Sequence, residues 1–340
     1  MTNELQREVF GQTKSGETVH RVVISGGGLT AKVITWGAVI QDLRLDGHDA
    51  PLTLGFDDFD SYPTHSAYFG ATPGRAANRT AGGRFTIDGN TYQLDLNENG
   101  VTHLHGGFDN IAVRNWTIVE HAADRVVLKI VDADGRGGYP GNCTIQATYH
   151  VHGSGELSVT YETTSDQPTI ANICQHAYFN LDGHEDALGH DIMIAADGYL
   201  PTDERQIPTG EVRPVAGTAF DFREMAPMKR LDGGQQALYD HNFCLSPQRT
   251  AKRSVVLARS LHSGVSLEVR TTEPGVQFYA AFKLDVPVPG LDGRKYGPFA
   301  GFCLETQIWP DAINHEGFPD AILRPGEVLR QETDYIFSKN

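Results

Sequence analysis

Four short runs of alternating apolar and polar residues follow one another in the middle of the chain, and they constrain the fold more than any other feature. Turn signals such as Asp134-Gly135 separate them. Alternation of this kind is typical of a strand with one buried face. Because the four runs are regularly spaced, the pattern predicts an antiparallel sandwich meander and not βαβ units. The runs are residues 116–120, 125–132, 143–151 and 156–163.

The rest of the chain continues in the same style. Residues 84–96 give the clearest hairpin signal, with Asp88-Gly89-Asn90 between two alternating runs. Residues 231–239 form at best a helix of about two turns, and there is no long helical period. Without a linker or a shift in composition, we predict one domain over residues 1–340, a large antiparallel all-β sandwich. The further predicted strands are residues 22–24, 29–45 (broken by glycines), 170–181, 191–195, 254–257, 265–271 and 276–282.

Composition and charge limit the partners that the protein can have. The formal net charge is −15, with no run of Lys or Arg, which argues against nucleic acid, a membrane surface and, mildly, strongly anionic substrates. Residues 1–11 are polar, and no later segment approaches the length of a membrane span. Cysteines this far apart, with no C-x-x-C, predict reduced core thiols in a cytoplasmic protein. The cysteines are Cys143, Cys174, Cys244 and Cys303.

One carboxylate interrupts an apolar run near the C-terminus. Glu305 follows Gly301-Phe302-Cys303-Leu304, and Pro310 ends any strand pairing soon afterwards. A buried carboxylate is unfavourable unless it is paired or functional. We therefore predict Glu305 at a strand end, either as a solvated or salt-bridged charge or as a functional group.

Two histidines lie two positions apart in His103-Leu104-His105. In a strand both would face the same way, which can begin a metal site. The sequence offers no third ligand at a telling spacing, and Gly106-Gly107 indicates a turn with close backbone approach. We favour a substrate-facing His105, with a hydrogen-bonded core histidine as the alternative.

Other polar residues lie among apolar ones in the C-terminal half. His176 is flanked by apolar residues, and its ordinary pKa of about 6.5 suits proton transfer at neutral pH. Asp240 precedes an apolar run and Gln277 lies inside another. Such hydrogen-bonding groups, together with aromatic residues, are what proteins use to hold a polyhydroxylated ring.

Together these segments resemble the aldose 1-epimerase (galactose mutarotase) family. The resemblance covers nearly the whole chain, and the motifs come in the family's order. It implies a β-sandwich of the galactose-mutarotase type with an open sugar-binding cleft and no cofactor. The matching motifs are Gly74-Arg75-(x)2-Asn78-Arg79, His103-Leu104-His105-Gly106-Gly107, His176-(x)-Tyr178-Phe179-Asn180-Leu181, Asp240-His241-Asn242-Phe243, Pro274-Gly275-Val276-Gln277-Phe278-Tyr279 and Leu304-Glu305-Thr306-Gln307.

The resemblance also implies roles for individual residues. Glu305 is expected to be the general base and His176 the general acid, with a nearby carboxylate raising the pKa of His176. The base takes the anomeric O1 proton while the acid protonates the ring oxygen, and rotation about C1–C2 before reclosure gives the other anomer. The expected partner is a monosaccharide, with no metal, and the protein is expected to be a monomer or homodimer. The expected sugar-binding residues are Asn78, Arg79, His105, Asp240 and Gln277, with Arg79 and His105 near the reacting end.

Other functions stay open at this point. A hexose-6-phosphate epimerase needs cations for the phosphate, a role that Arg75 or Arg223 could fill. A carbohydrate-binding protein without turnover needs no acid–base pair. A glycoside hydrolase needs two flanking carboxylates, for which Glu305 and Asp240 are candidates.

Some positions depart from the family's common residues, among them Val101-Thr102 and Ala280-Ala281-Phe282, with Thr80 and Trp309. None replaces a proposed catalytic residue. They bear on the shape of the cleft wall and so on which sugar is bound.

Overall fold

A computed structural model describes residues 7–339 of the 340-residue chain, and its regular structure is almost entirely β. One five-residue helix, α1 (Ser61–His65), and four short 3₁₀ helices (Ile111–Val113, Arg136–Gly138, Leu291–Gly293 and Ala312–Asn314) accompany the strands. Within residues 7–339, no helix has the length and apolar character needed to cross a membrane. The strands in chain order are β1 (Arg7–Gln12), β2 (Thr18–Gly26), β3 (Leu29–Ile34), β4 (Val39–Leu45), β5 (Arg79–Ala81), β6 (Arg84–Ile87), β7 (Asn90–Gln93), β8 (Thr102–Leu104), β9 (Thr117–His121), β10 (Arg125–Asp132), β11 (Cys143–His152), β12 (Glu156–Ser165), β13 (Thr169–Ile170), β14 (Tyr178–Phe179), β15 (His190–Ile194), β16 (Gly198–Tyr199), β17 (Arg213–Pro214), β18 (Ala226–Pro227), β19 (Leu231–Asp232), β20 (Gln235–Gln236), β21 (Asp240–Cys244), β22 (Arg253–Ser260), β23 (Val265–Thr271), β24 (Gly275–Tyr279), β25 (Phe302–Gln307), β26 (Ile322–Leu323) and β27 (Leu329–Lys339).

Three sheets contain most of these strands. The largest has nine strands in the order β18-β15-β22-β23-β27-β12-β11-β10-β9, the second has six in the order β14-β25-β24-β21-β16-β17, and the third is β1-β2-β3-β4. Neighbouring strands in them pair antiparallel. The all-β antiparallel prediction is therefore confirmed, including the meander β9 to β12 and the hairpin β6–β7.

The nine-stranded and six-stranded sheets share one hydrophobic core. Every second side chain of β11 is buried, as the alternating sequence predicted. Ile145 of β11 belongs to the same buried cluster as Phe278 of β24. The two sheets also meet where the rings of Phe179 and Tyr335 pack with centroids 5.2 Å apart. Burial of these apolar side chains is the main contribution that holds the sheets face to face.

The six-stranded sheet is polar on its other face. Gln277 of β24 lies opposite Glu305 of β25, and Asp240 of β21 lies opposite Tyr279 of β24. Opposite residues, and residues two apart in one strand, share a face of the sheet. The three polar side chains therefore lie on one face, while Phe278 points the other way into the core.

One prediction of helix is wrong, and one strand is shorter than predicted. Residues 231–239 contain the β19–β20 hairpin instead of a helix. Gly233 and Gly234 at its turn both have positive φ (57° and 85°), which suits a tight hairpin turn. The strand predicted over residues 276–282 ends at Tyr279.

Residues 170–181 are not the continuous strand that the sequence predicted. Only the two ends of this segment pair, as β13 and β14. Between them the backbone bonds to a neighbouring loop: the His176 N–H donates to the Ala71 carbonyl at 2.9 Å, and the Asn172 N–H donates to the Arg75 carbonyl at 2.8 Å. This irregular path brings His176 beside the polar face of the six-stranded sheet.

Candidate active site

Glu305 lies inside a strand and is buried, with 2% of its surface exposed. The prediction that it marks a strand end is wrong, because β25 continues to Gln307 and all its residues are buried. Oε1 lies 3.6 Å from His176 Nε2, and Oε2 lies 3.6 Å from Cys174 Sγ. Within residues 7–339 Glu305 forms no ion pair with a lysine or arginine, so the structure does not favour the salt-bridge alternative.

His176 is held beside Glu305 by its surroundings. Its Nδ1 lies 3.6 Å from Cys303 Sγ, and its ring stacks on Tyr68 with centroids 5.7 Å apart. The ring of His105 approaches to 5.2 Å. The imidazole therefore has a fixed orientation, with Nε2 directed towards the carboxyl group.

His105 and Asn78 form two hydrogen bonds with each other. Asn78 directly precedes β5 and His105 directly follows β8, the two strands of one ribbon. The His105 N–H donates to the Asn78 carbonyl at 2.9 Å, and the Asn78 N–H donates to His105 Nδ1 at 3.1 Å. Because Nδ1 is an acceptor, neutral His105 carries its proton on Nε2. His105 therefore offers an N–H donor to a ligand.

The two histidines of the His103-Leu104-His105 motif do not face the same way, contrary to the prediction. His103 is fully buried, and its Nε2 is 2.5 Å from the hydroxyl of Tyr139. His103 is therefore a hydrogen-bonded core histidine, the role that was the alternative for His105. The alternation breaks because His105 has a φ of 53°. The predicted close-approach turn is confirmed: Gly106 has a φ of 94°, and a Cβ there would lie 1.9 Å from the Gly74 carbonyl oxygen.

Arg79 and Asp240 complete the group of predicted residues. Arg79 donates to both carboxylate oxygens of Glu98, at 2.8 and 2.7 Å. Asp240 Oδ1 accepts a hydrogen bond from Gln277 Nε2 at 2.9 Å. Gln206, which the sequence did not single out, contacts both Arg79 and Asp240.

All the predicted site residues thus lie in one connected group. We call it the polar cluster, and it consists of Asn78, Arg79, His105, His176, Asp240, Gln277 and Glu305.

Burial moves the pKa values of the central pair apart. Desolvation, followed by the charge of Asp240, raises the pKa of Glu305 to about 8, and desolvation lowers the pKa of His176 to about 4. The expectation that a carboxylate raises the pKa of His176 is wrong in its net direction: Asp240 acts that way, but burial outweighs it. Between pH values of about 4 and about 8 the pair holds one proton, on the Glu305 carboxyl.

The polar cluster also contains a possible set of metal ligands. Ligand atoms of His105, His176 and Glu305 lie within 4.8 Å of one another. However, His105 Nδ1 already accepts the Asn78 N–H, and its other nitrogen carries the proton. A metal ligand needs a free lone pair, which His105 lacks in this arrangement. The donor set suits sugar hydroxyls better than a metal ion.

Neither arginine considered for a phosphate lies in the polar cluster. Arg75 is fully buried, and its guanidinium donates to Asp132 and to the carbonyls of Pro140 and Gly141. Arg223 forms ion pairs with Asp221 and Asp197. The two candidate phosphate-binding arginines of the hexose-6-phosphate alternative are therefore engaged elsewhere.

Several residues at the site were missed by the sequence reasoning. Tyr68, Glu98 and Gln206 are single residues in loops, and no spacing or motif marks them. Cys174 and Cys303 were identified only as core thiols, although they contact the Glu305–His176 pair. All four cysteines are free thiols in the structure.

Comparisons with known proteins show which proteins this chain resembles. Residues 20–335 match the family model described as aldose 1-epimerase. The chain is 42% identical to galactose mutarotase from Rattus norvegicus over 98% of both chains. It is 36% identical to aldose 1-epimerase from Escherichia coli (strain K12), over 91% of this chain and 92% of that protein. The crystal structure of a GalM/aldose epimerase homologue from C. elegans superposes with a TM-score of 0.88 at 31% identity, covering 94% of this chain and 98% of that one. The chain therefore belongs to the aldose 1-epimerase family, the isomerases that interconvert the anomers of sugars.

Proposed function

We propose that Glu305 and His176 are the acid–base pair of this isomerase. The observation that carries the proposal is their contact, with Glu305 Oε1 3.6 Å from His176 Nε2 at the polar face of the sheet. Glu305 takes the proton of the anomeric hydroxyl while His176 gives one to the ring oxygen, which opens the ring to the aldehyde. Rotation about C1–C2 and reclosure with the roles reversed give the other anomer.

The proton of the pair has to move before the first step. The proposed roles require an ionised Glu305 and a protonated His176, whereas burial leaves the proton on Glu305 between their pKa values. Transfer from Glu305 to His176 creates the reactive form without exchange with solvent. The pair needs only one proton in total, which it holds across the neutral range.

The substrate that we propose is a free aldohexose such as galactose, the sugar in the names of the mammalian relatives. Asn78, Arg79, His105, Asp240 and Gln277 would bind its hydroxyl groups. These residues supply both donors and acceptors, which matches the dual character of a hydroxyl group. A non-catalytic sugar-binding protein would not require the Glu305–His176 contact.

The proposal is tested by NMR exchange spectroscopy of anomers. The panel contains freshly dissolved galactose, glucose and glucose 6-phosphate, each with and without the protein. We expect enhanced exchange of a free hexose and a smaller enhancement for the phosphate ester. Binding without enhanced exchange would favour a carbohydrate-binding protein, and a preference for the ester would favour the hexose-6-phosphate alternative.

The pH dependence of kcat/KM should be bell-shaped. Activity requires the singly protonated pair, so the rate should fall below a pH of about 4, where His176 gains a proton, and above about 8, where Glu305 loses one. These limbs belong to the pair as a unit. Initial rates of anomer exchange from pH 3 to 10, corrected for uncatalysed mutarotation, measure them. A monotonic profile across this range would contradict the acid–base pair.

Removal of metal ions should not change activity. Both proton-transfer groups are side chains, and His105 has no free lone pair to offer a metal ion. We expect unchanged rates after dialysis against EDTA, with protein dialysed against buffer as the control. Loss of activity that zinc or manganese restores would show that the His105, His176 and Glu305 group holds a metal.

We also propose that the chain is one domain over residues 1–340, in a cytoplasmic protein that is a monomer or homodimer. The antiparallel sheets with a shared core support a single domain. The free thiols of the four cysteines support a cytoplasmic location. Analytical ultracentrifugation distinguishes the two oligomeric states.

A further inference from the structure

Gln206 is presented to the polar cluster by a tightly braced loop between β16 and β17. Asp203 Oδ1 accepts the main-chain N–H groups of Arg205 and Ile207, at 2.8 and 3.0 Å. Gln206 itself has a φ of 61°, a conformation that is unfavourable for a residue with a side chain. The loop therefore fixes the direction in which this side chain leaves the backbone.

The side-chain amide of Gln206 joins groups of opposite charge. Its Oε1 accepts from Arg79 Nη2 at 2.9 Å and from Lys283 Nζ at 2.9 Å, and its Nε2 donates to Asp240 Oδ2 at 2.7 Å. The orientation of the amide follows from these partners, because the flipped amide would direct N–H groups at two cations. Both ends of the amide are thus matched in charge to what they contact.

Gln206 also separates Arg79 from Asp240. Arg79 belongs to the two-stranded ribbon β5–β8 and Asp240 to the six-stranded sheet. Within residues 7–339 the two form no direct ion pair, since Arg79 pairs with Glu98 and Asp240 with the half-exposed Lys283 at 3.6 Å. The neutral amide holds both charged groups in place without neutralising either.

We propose that Gln206 is a positioning residue that sets the relative placement of Arg79 and Asp240 for sugar binding. We call the contacts of the Gln206 amide with Arg79 and Asp240 the bridge. Lys283, which also donates to Gln206 Oε1, directly follows Ala280-Ala281-Phe282, a segment that departs from the family's common residues. The inference rests on the proposed function, because it takes Arg79 and Asp240 as sugar-binding residues. It adds a contribution to substrate binding and none to proton transfer.

Three substitutions of Gln206 test whether its amide acts through hydrogen bonds to the charged groups or only by filling space. Gln206→Leu removes both halves of the bridge, and we expect KM to rise about tenfold with kcat within about twofold. Gln206→Glu keeps the size and the acceptor half but faces the Asp240 carboxylate. Gln206→Lys keeps the donor half but faces Arg79 and Lys283. Each should raise KM at least as much as Gln206→Leu, whereas a residue that only filled space would tolerate Gln206→Glu.

Matched variants make the result decisive. Glu204→Gln, at an exposed position on the same loop, should leave KM and kcat unchanged. Lys283→Met, at a side chain that is 53% exposed, should raise KM about threefold even if the Gln206 variants fold poorly. Thermal unfolding confirms that each protein is folded.

Asp240→Asn and Arg79→Lys are measured in the same assay to separate this inference from the proposed function. If they raise KM while Gln206→Glu and Lys283→Met leave it within twofold, Gln206 is not a positioning residue. If neither Asp240→Asn nor Arg79→Lys changes KM, the assigned sugar-binding roles are wrong.

Discussion

Replacing Glu305 by Gln should lower kcat by at least about 100-fold while KM stays within a few-fold. The amide keeps the size of the carboxyl group but can neither accept nor hold the proton that the pair shares. A positioned acid or base contributes about 10²–10⁴-fold to a rate, which sets the expected loss. The residues that we propose to bind the sugar hydroxyls are untouched, so substrate affinity should remain. Polarimetry of freshly dissolved galactose measures both constants.

The partner substitution and a control complete this test. His176→Asn should cost a similar factor, and the double variant should lose far less than the product of the two single losses, because the groups act as one unit. Glu316→Gln, at an exposed glutamate, should have the activity of the unmodified protein. A folded Glu305→Gln variant that turned over at nearly the original rate would show that the carboxylate is only structural.

Replacing Arg75 by Ala should lower the free energy of unfolding by about 3–5 kcal/mol. The guanidinium is fully buried between Asp132 and the main-chain carbonyls of Pro140 and Gly141. Removing it leaves these carbonyls without their donor and Asp132 with Arg114 at 2.7 Å and the more distant Arg136 at 3.8 Å. Buried polar groups without partners are costly. Urea unfolding followed by fluorescence measures the change.

An exposed ion pair provides the comparison for Arg75. Arg324 pairs with Asp88, and both side chains are about half exposed. Arg324→Ala should change the free energy of unfolding by less than about 0.5 kcal/mol. A loss below about 1 kcal/mol for Arg75→Ala would mean that Arg75 is not the main link between its loop and β10.

Local sequence patterns predicted the sheets better than the irregular segments. Strand β11 and the β6–β7 hairpin follow directly from alternation and turn residues. Residues 170–181 look like a strand by composition, yet their backbone partners lie about 100 residues earlier in the sequence, at residues 71–77. No local pattern contains that information, because tertiary contacts decide where such a segment finds its hydrogen bonds.

The site was predicted from motifs, and its electrostatics were not. The motifs supplied Glu305 and His176, but the direction of the pKa shifts depends on how deeply the pair is buried. Likewise His103 and His105 have the same spacing as residues on one face, and only the positive φ of His105 shows that they diverge. Gln206 has no motif, so its contacts could be found only in three dimensions.

Amino-acid substitutions in the six-stranded sheet and in the loops beside it should have different effects on this protein. Leu304 and Phe278 support, from the core side, the same strands that hold Glu305 and Gln277. Substitutions that loosen this packing should therefore disturb stability and turnover together. Gln206 and Lys283 lie in loops outside these strands, so their replacement leaves the packing of the sheet intact. New sugar preferences are accordingly easier to engineer through these loops than through the sheet that carries the proposed general base, Glu305.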